Sequence, residues 1–224
     1  MGEGDIFEKA NTPSKEDGNV LQKGRIKMNM TFSKNKLFWV NEPKNSIVEE
    51  NKIVIDTEPG TDYWQRTYYG FQNDNAPALL LETEEKYFSF LVKTEFNSKH
   101  RFDQCGVIIY QNSDNWIKAS IEYENEEFQR LGSVVTNLGY SDWATTDIPA
   151  DQQFMYYRLS RRESDFCIEN SYDGINYKQM RIAHLFEGGE QIKIGVYACS
   201  PENSSFRASF TDIKFVECQW KEHI

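Results

Sequence analysis

The segment Asn115 to Tyr123, N-W-I-K-A-S-I-E-Y, sets an indole, an ammonium and a carboxylate at alternating positions. In a strand, successive side chains leave opposite faces, so Trp116, Lys118, Ser120 and Glu122 share one side. Ile117, Ala119, Ile121 and Tyr123 share the other, which is an ordinary core face. The first side has the chemistry of a polar groove with a flat aromatic surface. An indole stacks on the C–H face of a sugar ring, and charged groups make strong hydrogen bonds to hydroxyls. That mixture suits a polyhydroxylated ligand better than a lipid or a nucleic acid.

Further residues of the same chemistry recur along the chain. In Trp64-Gln65-Arg66-Thr67-Tyr68, strand alternation predicts Trp64, Arg66 and Tyr68 on one face. In Lys193-Ile194-Gly195-Val196-Tyr197, Ile194 and Val196 face the core while Lys193 and Tyr197 face away. Asp142 and Trp143 are read as a loop that closes one rim. If these strands share a sheet, Trp64, Trp116 and Trp143 become stacking surfaces. Arg66, Tyr68, Lys118, Glu122, Asp142 and Tyr197 then supply polar contacts. A plainer reading stands beside this one. The charges could be exposed ion pairs worth ~0–1 kcal/mol, and Trp116 could lie under a loop as a second small core.

Glu122, Glu124, Glu126 and Glu127 raise the question of catalysis. Glycoside hydrolysis uses two carboxyl groups, ~5–5.5 Å apart for retention and ~6.5–9.5 Å for inversion. Residues two apart on a strand are separated by roughly 6.5–7 Å, so Glu122 and Glu124 have a permissive spacing. Yet Glu124-Asn125-Glu126-Glu127 reads more naturally as a solvated turn. Glu122 is the weak catalytic candidate, and no catalytic residue is assigned. His100, His184 and His223 are isolated and lack metal-ligand spacing, so no metal site is assigned, with a structural calcium left open. No nucleophile elbow or phosphate-binding glycine loop occurs.

The elements that must position these residues are strands. Runs with period-two alternation recur between turn signals spaced about every 8–12 residues, the rhythm of a sandwich. Leu37 to Val40, Ile53 to Ile55, Leu79 to Leu81, Tyr87 to Phe96 and Gly106 to Tyr110 read as strands. So do Trp116 to Tyr123, Leu131 to Asn137, Tyr156 to Arg162, Asp165 to Tyr172, Tyr177 to Ile182, Ile192 to Cys199 and Phe206 to Val216. Asp173-Gly174 marks a hairpin. Ile182 to Phe186 reads as one short turn of helix. The expected organisation is a polar extension at 1–24, one domain at 25–218 and a tail at 219–224.

With 224 residues, 39% of them hydrophobic and 14% aromatic, the chain can build one sizeable core. A formal charge of −10 disfavours nucleic-acid backbones and anionic membranes as partners. No apolar run is long enough to span a bilayer. The N-terminal M-G-E-G-D-I-F-E-K lacks the apolar region of a secretory signal, so the expected location is cytoplasmic. Cys105, Cys167, Cys199 and Cys218 are accordingly read as reduced thiols, the first three packed inside strands.

Several ordered motifs together resemble the domain of unknown function 1349 family. They are P-G-T-D-Y-W-Q-R-T-Y-Y-G-F at 59–71, D-Q-C-G-V at 103–107 and N-W-I-K-A-S-I-E-Y at 115–123. S-V-V-T-N at 133–137, S-D-W at 141–143 and R-L-S-R-R at 158–162 follow, with Y-D-G at 172–174 and G-V-Y-A-C-S-P at 195–201. The resemblance implies an all-β, concanavalin A-like jelly-roll sandwich of two antiparallel sheets, one bent into a concave face. It implies no reaction. Many relatives carry a His where this chain has Tyr69, which puts any mechanism needing an imidazole there in doubt.

Three functions are carried forward. The first is a non-catalytic, lectin-like module for a carbohydrate or sugar-derived small molecule. The second is a sugar-active enzyme, similar to a glycoside hydrolase, using Glu122. The third is a cytosolic regulatory protein whose partner is an enzyme of carbohydrate metabolism.

Overall fold

A computed structural model describes residues 32–221. The expected extension at 1–24 and the last three residues of the expected tail lie outside the described residues.

Two seven-stranded sheets pack face to face. The first has the order β1 (Leu37–Val40), β6 (Ala78–Thr83), β15 (Ile192–Cys199), β8 (Gln104–Asn112), β9 (Asn115–Tyr123), β10 (Phe128–Asn137) and β11 (Tyr140–Pro149). The second has the order β14 (Lys178–His184), β13 (Asp165–Ser171), β12 (Phe154–Arg162), β7 (Tyr87–Glu95), β16 (Arg207–Glu217), β3 (Ile53–Asp56) and β2 (Ser46–Val48). Neighbouring strands within each sheet run antiparallel. A separate hairpin, β4 (Tyr63–Gln65) with β5 (Gln72–Asp74), belongs to neither sheet.

The alternation read from the sequence sorts the core. Ile117, Ala119 and Ile121 of β9 face inward with Val107, Ile109, Ile194 and Val196. They meet Phe88, Phe90, Leu159, Phe166 and Phe210 from the second sheet. Each such side chain stabilises the fold by roughly 1.5–3 kcal/mol when fully buried. The sandwich is thus the jelly roll that the sequence implies.

β9 departs from a half-buried strand, because seven consecutive residues from Asn115 to Ile121 are buried. Its outer face lies against a second cluster made by Tyr63, Trp64, Ala78, Leu80, Ile108, Tyr110, Trp116, Val134 and Tyr197. Tyr63 and Trp64 come from the β4–β5 hairpin, which roofs this part of the first sheet.

Three local expectations are corrected. Ile182 to His184 continue β14 instead of turning helically, paired with Cys167, Phe166 and Asp165. The 3-10 turn Lys34–Lys36 is the one helical element among the described residues. Asp142 and Trp143 lie within β11, paired in register with Val135 and Val134. Finally, β4 ends at Gln65, and Arg66 (φ 56°) and Tyr68 (φ 62°) adopt left-handed backbone. Strand alternation fails there, so Trp64, Arg66 and Tyr68 do not share a face.

Candidate functional site

A cavity of about 360 Å³ lies between the roofing hairpin and the outer face of the first sheet. Its floor follows from strand register. Ser120 has Gly106 on one side and Gly132 on the other, so the face there carries no bulky neighbours. A Cβ on Gly132 would stand 2.9 Å from the Trp143 indole nitrogen, too close to leave that ring in place. Gly132 lines the hollow beside Ser120, whereas a Cβ on Gly106 would strike the Ala119 backbone carbonyl, so that glycine serves the close approach of β8 to β9. Trp64, Tyr69, Phe71, Phe102 and Trp143 wall the hollow.

Gln104 organises the floor. Its Oε1 accepts hydrogen bonds from Lys118 Nζ and from Tyr197 OH, each at 3.0 Å. Its Nε2 donates to Glu122 Oε2 at 2.9 Å and to the Phe102 carbonyl at 3.2 Å. Burial pushes the Tyr197 phenol well above its ordinary pKa, so it stays a donor. Lys118 is 4% exposed and also faces Asp62 Oδ1 at 3.5 Å. Its ammonium stands 5.7 Å from the Trp116 ring centre and 5.6 Å from that of Tyr197, a cation–π arrangement in a dry setting.

Asp62 is fixed in turn. It precedes β4, its Oδ1 accepts from the Tyr63 N–H at 2.7 Å, and its own N–H donates to Asn75 Oδ1 at 2.9 Å. Glu122 opens partly to the cavity while protein surrounds its carboxyl. Burial pushes its pKa up to about 7; Lys118 opposes this, and Asp62 adds to it.

The residues expected at a site from sequence divide into two groups. Trp64, Lys118, Glu122 and Trp143 line the cavity together. Trp116 does not reach it, being fully buried with its Nε1 donating to the Ser113 carbonyl at 3.2 Å. No ring face of Trp116 is open for stacking, so that expectation is corrected: the indole is core under the roof. Tyr197 is also fully buried and meets the floor from beneath, through Gln104 Oε1 and through its ring beside the Lys118 ammonium.

Arg66 turns away to donate to the Gly139 carbonyl at 2.7 Å and to pair with Asp114. Tyr68 is 92% exposed outside the cavity. Asp142 pairs with Arg181 at 2.6 Å, across to β14. The cavity members missed from sequence include Asp62, Gln104, Phe102, Tyr69, Phe71 and Glu202. Four of these, Asp62, Tyr69, Phe71 and Gln104, sit inside the motifs at 59–71 and 103–107, which was the available signal.

The cysteines behave as small core residues or bystanders. Cys105, Cys167 and Cys199 are buried and free, and burial raises the thiol pKa of all three. Among the described residues, no group of three or more His, Cys, Asp or Glu side chains is placed to hold a metal ion. Among the same residues, no helix is long and apolar enough to cross a membrane.

Fold and site together define a jelly-roll sandwich protein with a roofed, aromatic-walled polar pocket on one sheet. The chain belongs to the family described as protein of unknown function (DUF1349), which matches residues 39–218. Regulation of enolase protein 1 of Saccharomyces cerevisiae is 29% identical over 174 residues, covering 78% of this chain and 86% of that one. A crystal structure of a functionally unknown protein from Saccharomyces cerevisiae superposes with a TM-score of 0.75 at 27% identity. It covers 82% of this chain and 97% of that chain. A mutant of the GH43 protein BlXynB from Bacillus licheniformis gives a TM-score of 0.66 at 14% identity. That match covers 84% of this chain and 38% of that one, and it shows a shared fold alone.

Proposed function

We propose that the protein is a non-catalytic carbohydrate-binding module whose ligand sits beneath the β4–β5 roof. One observation carries this reading. Five aromatic walls surround a floor of Gln104, Lys118, Ser120 and Glu122, the composition that stacks on a sugar ring and bonds its hydroxyls. The floor groups are held by one another, so little ordering is left for binding to cost.

The test is a thermal-shift and tryptophan-fluorescence screen against neutral mono- and oligosaccharides. A ligand specific for the folded state adds ~2.7 kcal/mol of stability at a hundred times its dissociation constant. The reading expects a shift in the wild type that Trp143→Ala and Lys118→Met both abolish. A screen without shifts, or shifts untouched by both variants, would remove it.

A second reading draws on Glu122. A carboxyl whose pKa reaches about 7 suits a general acid working near neutrality, with Asp62 as the second carboxylate beside Lys118. In that case Glu122→Gln abolishes hydrolysis of an aryl glycoside while leaving sugar binding intact. Hydrolysis that survives the change removes Glu122 as the catalytic acid, and its absence from the wild type removes the enzyme reading. The name of the yeast relative, regulation of enolase protein 1, supports a third, regulatory reading, with an enzyme of carbohydrate metabolism as partner. Co-purification of purified enolase with this chain tests it, and failure of the two to associate counts against it.

A further inference from the structure

We infer that the pocket discriminates by charge, accepting neutral and amine-bearing sugars and refusing acidic and phosphorylated ones. This rests on the carbohydrate reading and narrows it to a chemical class.

The argument starts from which charges face the cavity. Asp62, Glu122 and Glu202 contribute carboxyl groups, and Lys118 is the one cation among the described residues that line it. The Lys118 ammonium is already engaged by Gln104 Oε1 at 3.0 Å and Asp62 Oδ1 at 3.5 Å. A phosphate or carboxylate on the ligand would need unclaimed guanidinium or ammonium donors, or a helix N-terminus. None is offered by these lining residues.

Two arginines stand close by, and both are committed elsewhere. Arg101 bonds Glu124 at 2.6 Å while its guanidinium stacks 4.4 Å from the Phe102 ring centre. Arg130 bonds the same Glu124 at 3.1 Å and lies 5.9 Å from the Trp143 ring centre. Glu124 and, for Arg130, Asp147 at 3.6 Å thus engage these guanidiniums behind the Phe102 and Trp143 walls, and neither arginine lines the cavity.

An anionic ligand would thus meet like charge in a partly desolvated space, where juxtaposed like charges cost several-fold more than in water. A ligand ammonium would instead meet carboxylates and aromatic faces, both of which attract cations. The chain's net charge of −10 acts in the same direction during encounter. Glu122 sharpens the effect as pH rises through about 7, because its carboxyl then ionises. The groups around it are Gln104 and Lys118 on the floor, Asp62 from the roof, Tyr197 and Cys199 of β15, and Glu124 and Arg130 beyond.

The experiment titrates the full chain calorimetrically at pH 7.5 with matched probes. These are glucose, glucosamine, glucuronate and glucose 6-phosphate, and the corresponding galactose set. The expected result is that the neutral and amine-bearing members bind on the order of tenfold or more tighter than the acidic and phosphorylated ones. The double variant Glu122→Gln, Glu202→Gln should narrow that gap, and the wild-type preference for glucose over glucuronate, neither of which titrates in this range, should widen from pH 6 to pH 8. Acidic or phosphorylated members binding as tightly as neutral ones would overturn the charge inference and leave carbohydrate binding standing. A gap unchanged in the double variant would overturn it too, by showing that these carboxyls do not set the preference. Silence from every probe would remove the carbohydrate reading, and this inference with it.

Discussion

The outer faces of the two sheets use the same ingredients and come to different ends. On the second sheet, Lys93 of β7 stands over the rings of Phe154 and Tyr156 at 5.0 and 5.9 Å and pairs with Glu95. Arg158 of β12 forks onto Glu169 of β13 at 2.6 and 2.7 Å, stacked 4.2 Å from the Tyr177 ring centre. On the first sheet, Lys118 stands over Trp116 and Tyr197 and faces Asp62. The Lys93 and Glu95 side chains are 22% and 46% exposed, whereas Lys118 and Asp62 are 5% and 13%. Aromatic, cation and carboxylate along a strand face therefore do not by themselves make a site. The roof over one face removes water, and removing water makes its charges consequential.

The contrast can be broken most sharply at the aromatics. Trp116→Ala should destabilise by ~3–5 kcal/mol in urea unfolding, since it empties the volume of a fully buried indole. Tyr156→Ala on the other sheet should stay below ~1 kcal/mol, the range of partly exposed positions. Equal costs would mean that the hairpin does not seal a second core.

The next largest effect falls on the cations. Lys118→Met leaves Asp62 and the Gln104 carbonyl oxygen without their shared donor and should cost about 3 kcal/mol. Lys93→Met should cost at most ~1 kcal/mol, as partly exposed pairs do. Equilibrium unfolding of both variants at low and high salt checks this, with only the Lys93 difference expected to shrink in salt.

The pH dependence should differ in sign between the faces. In the folded chain Glu122 titrates near 7, above its ordinary 4.5, so folding holds its proton more tightly. Its contribution is present in full below about 4.5 and is lost as pH rises to about 7, roughly 3 kcal/mol in all. Asp56, on β3 of the second sheet, is held below its ordinary 3.8 by the hydrogen bond from Arg207. That contribution is present above 3.8 and is lost as pH falls. Urea midpoints of the wild type and Glu122→Gln at pH 5 and 8 should diverge at pH 8, the variant being the more stable. Parallel curves would show that the Glu122 carboxyl is solvated. A smaller effect, about 1 kcal/mol, should come from Arg158→Lys, which keeps the charge beside Glu169 but loses the fork and the ring stacking of a pair only 17% and 13% exposed.

Much of the fold was legible because strand alternation is local. Ile117, Ala119 and Ile121 announced a core face, and the turn at Asp173-Gly174 announced its hairpin, with Gly174 at φ 71°. The site was legible only in part. Lys118 and Glu122 follow from period two along β9, and Trp64 from the start of β4. Arg66 and Tyr68 were misplaced because both adopt left-handed backbone without a glycine to signal it. Asp142 was placed on a rim, but strand pairing carries it outward to Arg181.

Asp62 and Gln104 escaped notice for a different reason. Neither looks special in its own segment, and each matters only through partners far along the chain. Gln104 lies 93 residues from Tyr197 and 18 from Glu122.

The sequence alone determined most of the strands, their inward faces, the family and the polar–aromatic character of β9. Those follow from short-range periodicity and motif order. Only the tertiary structure decided that β4–β5 folds over the first sheet, burying Trp116 and Tyr197 while leaving Trp64 and Trp143 at the cavity. It also decided that Gly132 falls opposite Ser120, where its bare backbone leaves room for the Trp143 indole at the cavity wall. Both outcomes depend on register and on contacts between distant segments, where desolvation turns an ordinary strand face into a candidate site.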